Sequence, residues 1–257
     1  MRAMHHDAVR EEFTLQATSF GRSEAMTSAQ TLGALVELVP EDPRARWIDV
    51  ACGPGVVSCA MAAKVASVRG VDLTPAMVDE AAMRAREEGV GNVSFAEGDA
   101  TSLDLADGTF DGAITRLSLH HIPVPGRIVA EMARVVRPGG TVVVSDLAAD
   151  RDRDAVAWRE EIERLRDPSH WACLTPERLR EAGARAGLIV EHEEIAAVDI
   201  DFDDWLARGS TGRAAAGLIE QLLDEQPAGA ESFRVVQGKG GRRLQQCYQL
   251  VRWHRPE

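Results

Sequence analysis

The stretch Trp47-Ile48-Asp49-Val50-Ala51-Cys52-Gly53-Pro54-Gly55 constrains the fold more than any other part of the chain. Its apolar beginning (Trp47, Ile48, Val50) reads as a buried parallel strand, and that strand stops on glycine, proline and glycine. A helix of small residues follows at once, over residues 55–65. A strand that turns tightly on glycine into a helix brings bare backbone N–H groups up to a ligand, because no Cβ holds the ligand off. A dinucleotide-binding turn would need a third glycine to close the helix against the strand. Ser58 stands at that place, which weakens the dinucleotide reading.

Downstream the pattern alternates. Apolar runs predict strands at 46–51, 67–72, 92–96, 110–115 and 140–146, with helices at 55–65, 75–88 and 125–136. Strands joined by helices in this way predict an α/β fold: a Rossmann-like, doubly wound parallel sheet covered on both faces, three layers deep. Right-handed crossovers then put every loop that follows a strand at one edge of the sheet. The residues with chemistry to offer all fall on those loops.

The second strand ends at Asp72. A carboxylate there can accept hydrogen bonds from both hydroxyls of a ribose, and an ionised acceptor strengthens them. Thr74 and Pro75 also read as N-cap and first residue of the next helix. Leu73 and Met77 are spaced to press on a flat apolar ring, although core packing would explain either one. After the third strand comes Glu97-Gly98-Asp99-Ala100, where Asp99 can accept from an exocyclic amine and the Ala100 N–H can donate to a ring nitrogen. The fourth strand ends near Thr115 and Arg116, facing whatever lies above Gly53, and His120 and His121 follow on its loop. A turn at 138–140 opens the fifth strand, which ends at Ser145 and Asp146.

The flanks are helical or mixed. Residues 1–40 read as two helices broken near Gly21, with Phe13, Ala17 and Phe20 on one face; residues 13–20 can fold over a ligand pocket. Residues 148–174 read as a lid: a charged amphipathic helix over 152–166, then a turn Asp167-Pro168-Ser169-His170-Trp171. A helix over 178–186 and a sixth strand over 187–202 follow. An insertion at 204–227 carries Trp205 and an amphipathic helix and reads as a cap or a dimer contact, so a homodimer is compatible with the sequence. Residues 233–253 hold an edge hairpin turning at 238–241. The expected organisation is one domain over 1–257, with N-terminal helices (1–45), a core (46–147), the lid (148–174) and a C-terminal part (175–257).

A net charge of −12 and no basic run argue against a nucleic-acid binder or a membrane-surface protein. Cys52, Cys59, Cys173 and Cys247 show neither CxxC pairing nor metal spacing and read as reduced thiols. With no apolar run of spanning length, the expectation is a cytoplasmic protein without a membrane span.

Taken together, D-V-A-C-G-P-G, V-D-L, G-D-A, F-D-G-A with L-H-H-I, and R-P-G-G resemble the class I S-adenosylmethionine-dependent methyltransferases. The likeness is greatest to the small-molecule group that includes the ubiquinone/menaquinone C-methyltransferases. It covers residues 46–147 and departs once: Ala51 replaces the first glycine of the usual D-x-G-x-G-x-G. The resemblance implies a seven-stranded sheet with an antiparallel edge strand. It implies S-adenosyl-L-methionine as cofactor and S-adenosyl-L-homocysteine as product. Asp49 and the backbone from Ala51 through Gly53 to Gly55 would hold the methionine part. Asp72 would take the ribose, Leu73 and Met77 would sandwich the adenine, and Asp99 and Ala100 would read its edge. The backbone at Arg116 would accept from the cofactor ammonium.

The implied reaction is in-line methyl transfer to carbon, oxygen or nitrogen of a small-molecule acceptor, helped mainly by alignment and desolvation. Where the acceptor must lose a proton, a histidine base suits, and His120, His121 and His170 are the candidates. Adjacent His120 and His121 do not readily chelate one ion, so no metal is expected. The alternative is a protein that keeps the cofactor but catalyses another reaction such as cyclisation. A non-enzymatic cofactor binder is weaker still, since the acidic and glycine positions are intact.

Overall fold

A computed structural model of the chain describes residues 2–20, 29–238 and 240–257; the expected break at Gly21 and the Phe20 side chain lie outside what is described. The central element is β1 (Asp42–Val50). It pairs in parallel with β2 (Val65–Asp72) on one side and β4 (Phe110–Arg116) on the other. Beyond these lie β3 (Val93–Glu97) next to β2 and β5 (Val136–Leu147) next to β4, both parallel. The registers Asp49↔Gly70 and Asp49↔Ile114 bring the strand tips to one edge of the sheet.

Alternation along the strands splits the core in two. Ile48, Val50, Ala113, Val142 and Val144 face one layer, shared with Ile128, Val129 and Met132 of α5 (Gly126–Val135) and Leu179 of α7 (Pro176–Arg185). Trp47, Ile114 and Val143 face the other, shared with Leu35 of α2 (Ala29–Glu37) and Val57 and Met61 of α3 (Val56–Met61). Strands buried on both faces need continuous apolar runs, which is why they stand out in the sequence. Helix α4 (Pro75–Glu87) follows β2 and starts on Pro75, where a missing N–H costs nothing. Thr74 occupies the N-cap position but makes no side-chain cap bond to the helix.

The far side of the sheet departs from expectation. Among the described residues there are eight strands, in the order β3-β2-β1-β4-β5-β8-β6, with β7 also paired to β8. The antiparallel strand is β8 (Gly241–His254), and it lies one place in from the edge, between β5 and β6 (Ile189–Asp201). The reason is burial. β8 carries Leu244, Leu250, Val251 and Trp253, all buried, and needs cover on both sides. β6 is mostly exposed and carries Glu191, Glu193 and Glu194, charges that suit an open edge. Beyond the reach of β5, the first part of β8 pairs instead with β7 (Phe233–Gly238).

A third apolar cluster lies past the end of β5. Trp158 and Ile162 of α6 (Arg153–Arg166) meet Phe202 and Trp205 of α8 (Phe202–Arg208), Ile219 of α9 (Ala216–Asp224) and Phe233. The 204–227 segment is therefore packed into the molecule, with Leu218 left exposed. Helix α1 (Arg2–Phe20) lies across the edge where the strand tips gather. Arg10 pairs with Glu97, and the buried Glu12 accepts from the Ser210 N–H at 2.9 Å. No helix among the described residues is long and apolar enough to cross a membrane.

The loop after β1 carries local strain. Ala51 (φ 55°), Gly53 (φ 51°) and Gly55 (φ 74°) are all left-handed. Alanine is disfavoured there by its Cβ, so Ala51→Gly is expected to stabilise the fold by about 0.5–1 kcal/mol. A Cβ at Gly55 would sit 2.9 Å from Ala81 Cβ and 3.1 Å from Phe95. Gly55→Ala is therefore expected to cost about 2–4 kcal/mol, and urea unfolding of both variants reads the two signs.

Candidate functional site

A cavity of about 880 Å³, counted with its open mouth, lies over the carboxyl ends of β1, β2 and β4. Its wall includes Asp49, Ala51, Gly53, Asp72, Leu73, Met77, Asp99, Ala100, Arg116 and His121. Gly55 is not in the wall. It serves packing instead, allowing α3 to approach Ala81 and Phe95, and its N–H is bonded to the Cys52 carbonyl at 3.1 Å. His120 and His170 are not in the wall either.

The first acidic group is Asp49, 1% exposed. The Ser58 hydroxyl donates to it at 2.6 Å. Burial pushes the Asp49 carboxyl up to about 7 against the pull of Ser58. A buried acid held so near neutrality is suited to a cationic ligand. Asp72 accepts from the Gly53 N–H at 2.8 Å and the Thr74 N–H at 2.9 Å, and so ties the β1 loop to the β2 tip. Burial raises its carboxyl, opposed by those two N–H groups. Asp99 accepts from the N–H and the hydroxyl of Thr101, both at 2.7 Å, in a turn that sets the Ala100 backbone at the cavity. Gly53 leaves open space where a Cβ would stand, so a ligand can reach the main chain. These groups fit a nucleoside joined to an amino acid: acceptors for hydroxyls and an ammonium, an apolar slot at Leu73 and Met77, and open main chain at Gly53 between.

The β4 tip is also strained. Leu117, in the cavity wall, has φ 53° and donates its N–H to the Ser145 carbonyl at 2.8 Å. Arg116 is buried and donates to the Thr31 hydroxyl at 2.9 Å; burial lowers its guanidinium.

Behind the wall is a buried polar network. The Asp146 carboxylate accepts from the N–H groups of Ser118 (3.0 Å), Leu119 (2.6 Å) and Leu147 (2.7 Å), and from His120 Nδ1 at 2.5 Å. Burial works against charge on His120, but Asp146 outweighs it and raises the imidazole overall. Asp146 is correspondingly lowered, despite burial, by His120 and the N–H donors. The two form a buried ion pair. His170 Nε2 is bonded to Glu160 at 2.6 Å, and Glu160 also accepts from the Cys173 N–H at 2.8 Å. Ligand atoms of Glu160, His170 and Cys173 lie within 4.8 Å of one another. Both Glu160 oxygens are already engaged, however, and Arg164 lies 3.7 Å from one of them, an unfavourable neighbour for a metal cation.

His121 differs from its neighbours. A single 3₁₀ turn (Leu119–His121) places His120 against Asp146 and His121 at the cavity. Burial, and then the charge on His120, push its imidazole down to about 3, so it is neutral. Its ring packs edge-on against Phe13, with centroids 4.9 Å apart.

The 148–174 segment contributes nothing to the cavity wall. It backs the histidines: Trp171 and Ala172 donate N–H groups to the His120 carbonyl at 2.8 and 3.1 Å. The cover comes from α1, whose His6, Val9 and Phe13 complete the wall, while His5 Nε2 reaches the His121 carbonyl at 2.6 Å. Sequence reasoning found Phe13 but missed Ser58 as a partner of Asp49 and Asp146 as the anchor of the histidine loop. The four thiols are free, as expected, and burial raises each of them.

Comparison with known proteins agrees with this geometry. Residues 48–144 match the methyltransferase domain family. An uncharacterised methyltransferase of Bacillus subtilis, YcgJ, is 26% identical over 240 residues, covering 93% of this chain and 95% of that protein. Its crystal structure superposes with a TM-score of 0.82 over 89% of this chain and 99% of that one. A ubiquinone biosynthesis O-methyltransferase of Paracidovorax citrulli is 35% identical over 117 residues, 45% of this chain and 49% of that protein. A geranyl diphosphate C-methyltransferase from Streptomyces coelicolor, solved with S-adenosyl-L-homocysteine, has the same fold: TM-score 0.63, 19% identity, 89% of this chain and 79% of that one. Over residues 48–144 the chain is thus similar to the methyltransferase domain family, and in fold to methyltransferases solved with S-adenosylmethionine or S-adenosylhomocysteine.

Proposed function

We propose that the protein transfers a methyl group from S-adenosylmethionine to a small, largely apolar acceptor by in-line displacement. One observation carries this reading. Every residue that the sequence pattern assigns to the cofactor, Gly55 excepted, lines the same cavity, together with His121 of the three candidate histidines. When bound, the cofactor supplies an electrophilic methyl on a sulfonium that departs as a neutral thioether.

The chain's own residues bind, orient and exclude water. Asp49 and the open main chain of the β1 loop hold the amino-acid end, and the cationic charge there draws Asp49 into its ionised form. Asp72 holds the ribose hydroxyls, and Leu73, Met77, Asp99 and Ala100 hold the adenine. Val9, Phe13 and Ile122 leave an apolar space beside His121 for the acceptor. Helix α1 closes that space from water, and the 148–174 segment supports it from behind. Alignment and desolvation of this kind supply most of the acceleration that a good leaving group still requires.

Four measurements test the proposal. Calorimetry is expected to detect S-adenosylhomocysteine and no NAD; the reverse result would overturn it. Asp72→Ala is expected to weaken cofactor binding by about 1–3 kcal/mol, and unchanged affinity would remove Asp72 from the site. Asp49 supplies the pH test. Its carboxyl stands at about 7 in the free protein, and a cation beside it lowers that value. Binding then releases a proton, so affinity for S-adenosylmethionine falls below pH 7 toward a limit of about tenfold per pH unit. Asp49→Asn is expected to bind with a flat profile. Mass analysis of the product separates methylation from cyclisation, because only the first adds a methyl group.

A further inference from the structure

A chain of hydrogen bonds behind the cavity fixes which nitrogen of His121 carries its proton. Asp167 is ionised: burial opposes its charge, but Arg166 and the hydrogen bonds from Ser169 hold the carboxyl low. An ionised carboxylate only accepts. The Ser169 hydroxyl lies 2.6 Å from Asp167 Oδ1, and the Ser169 N–H donates to the same oxygen at 2.9 Å. The single hydroxyl proton of Ser169 therefore points to Asp167. Ser169 Oγ also lies 3.0 Å from His121 Nδ1, and with its proton spent it can only accept there. The proton of the neutral His121 ring is thus on Nδ1.

That leaves Nε2 with a lone pair. Nε2 has no hydrogen-bond partner among the described residues, yet it is not among the polar atoms sealed from solvent without one. His121 lies in the cavity wall, so Nε2 is the ring atom offered to the cavity. Phe13 packs on the His121 ring, the wall also carries Val9, Leu117 and Ile122, and His120, paired with Asp146, packs 4.2 Å from the His121 ring. An ammonium is unwelcome in such a place. An uncharged hydroxyl is welcome, since it has a proton to give to a bare acceptor.

We propose that Ser169 and Asp167 are positioning residues that lock His121 as the Nδ1–H tautomer, and that the methyl acceptor is a hydroxyl group whose proton is held by His121 Nε2. This rests on the methyltransferase reading above. As the O–C bond forms and the C–S bond breaks, the electron pair of the broken bond stays on sulfur and the hydroxyl proton passes to Nε2. A weak base suffices, because an oxygen that is gaining a third bond is far more acidic than an imidazolium. The new charge on His121 is met by the Nδ1–H to Ser169 to Asp167 chain.

The test begins without turnover. In ¹⁵N-labelled protein, long-range ¹H–¹⁵N spectra report the tautomer of His121, assigned by loss of its signals in His121→Gln. The wild type is expected to show a protonated Nδ1 and a bare Nε2; the opposite tautomer overturns the proposal with no variant needed. Ser169→Ala is expected to shift the population toward Nε2–H, and Ser169→Thr to restore the wild-type pattern. An unchanged spectrum in folded Ser169→Ala removes the positioning role. With S-adenosylhomocysteine bound, phenol is added as a probe and anisole, which lacks the hydroxyl, as its control. Phenol alone is expected to move the Nε2 signal. Equal shifts from both, or none from phenol, overturn the hydroxyl assignment. Failure of S-adenosylhomocysteine to bind would sink the methyltransferase reading and leave the tautomer result standing.

Discussion

The structure depends on the pairing of β1 with a parallel neighbour on each side. The registers of Asp49 with Gly70 and with Ile114 fix where three strands end relative to one another. A slip of one residue would turn Trp47 and Ile48 to the wrong layers and move Asp49 off its face. Two separate apolar clusters oppose any such slip. The precision of the site is therefore set by the core, and the loops inherit it.

Once the tips are aligned, charge decides the rest. Asp146, 2% exposed, gathers three backbone N–H groups and one imidazole. Removing such a carboxylate leaves donors unpaired, which is costlier than the net value of the bonds themselves. The same arrangement has an effect at a distance. Charge on His120, 4.2 Å away ring to ring, helps to keep His121 neutral. Two adjacent histidines thus take opposite protonation states because one meets a carboxylate and the other meets Phe13 and a hydroxyl.

Much of this was legible in the sequence, for a local reason. Asp49, Asp72, Asp99 and Arg116 each stand at the end of an apolar run, so a pattern of period and glycine finds them. Parallel topology then brings them together without further information. What failed to show depended on partners far apart in the chain. Asp146 meets His120 across 26 positions and Ser169 meets His121 across 48, with no spacing rule to mark either pair. The place of β8 escaped for a similar reason. Its alternation says that it is a strand, but only the burial of both its flanks says that it is not at an edge. Gly55 illustrates a third limit. Its backbone conformation could be anticipated, whereas the direction of the space it frees could not. The covering role fell to α1 rather than to the segment after β5, since Trp158 and Ile162 of that segment pack into its own cluster and His170 is bonded to Glu160.

The position of β8 has a consequence for the order of events as the chain is made. β6 emerges from the ribosome well before the strand that must lie beside it, and it has no other neighbour in the sheet. Until β8 arrives, β5 also has one side unpaired. The first five strands contain the whole of the strand-tip cavity floor and can pair among themselves during synthesis, domain segments nearer the N-terminus forming first. At that stage the floor of the strand-tip cavity can already be paired while one seam of the sheet is still open. That seam is the surface a chaperone would be most useful in shielding.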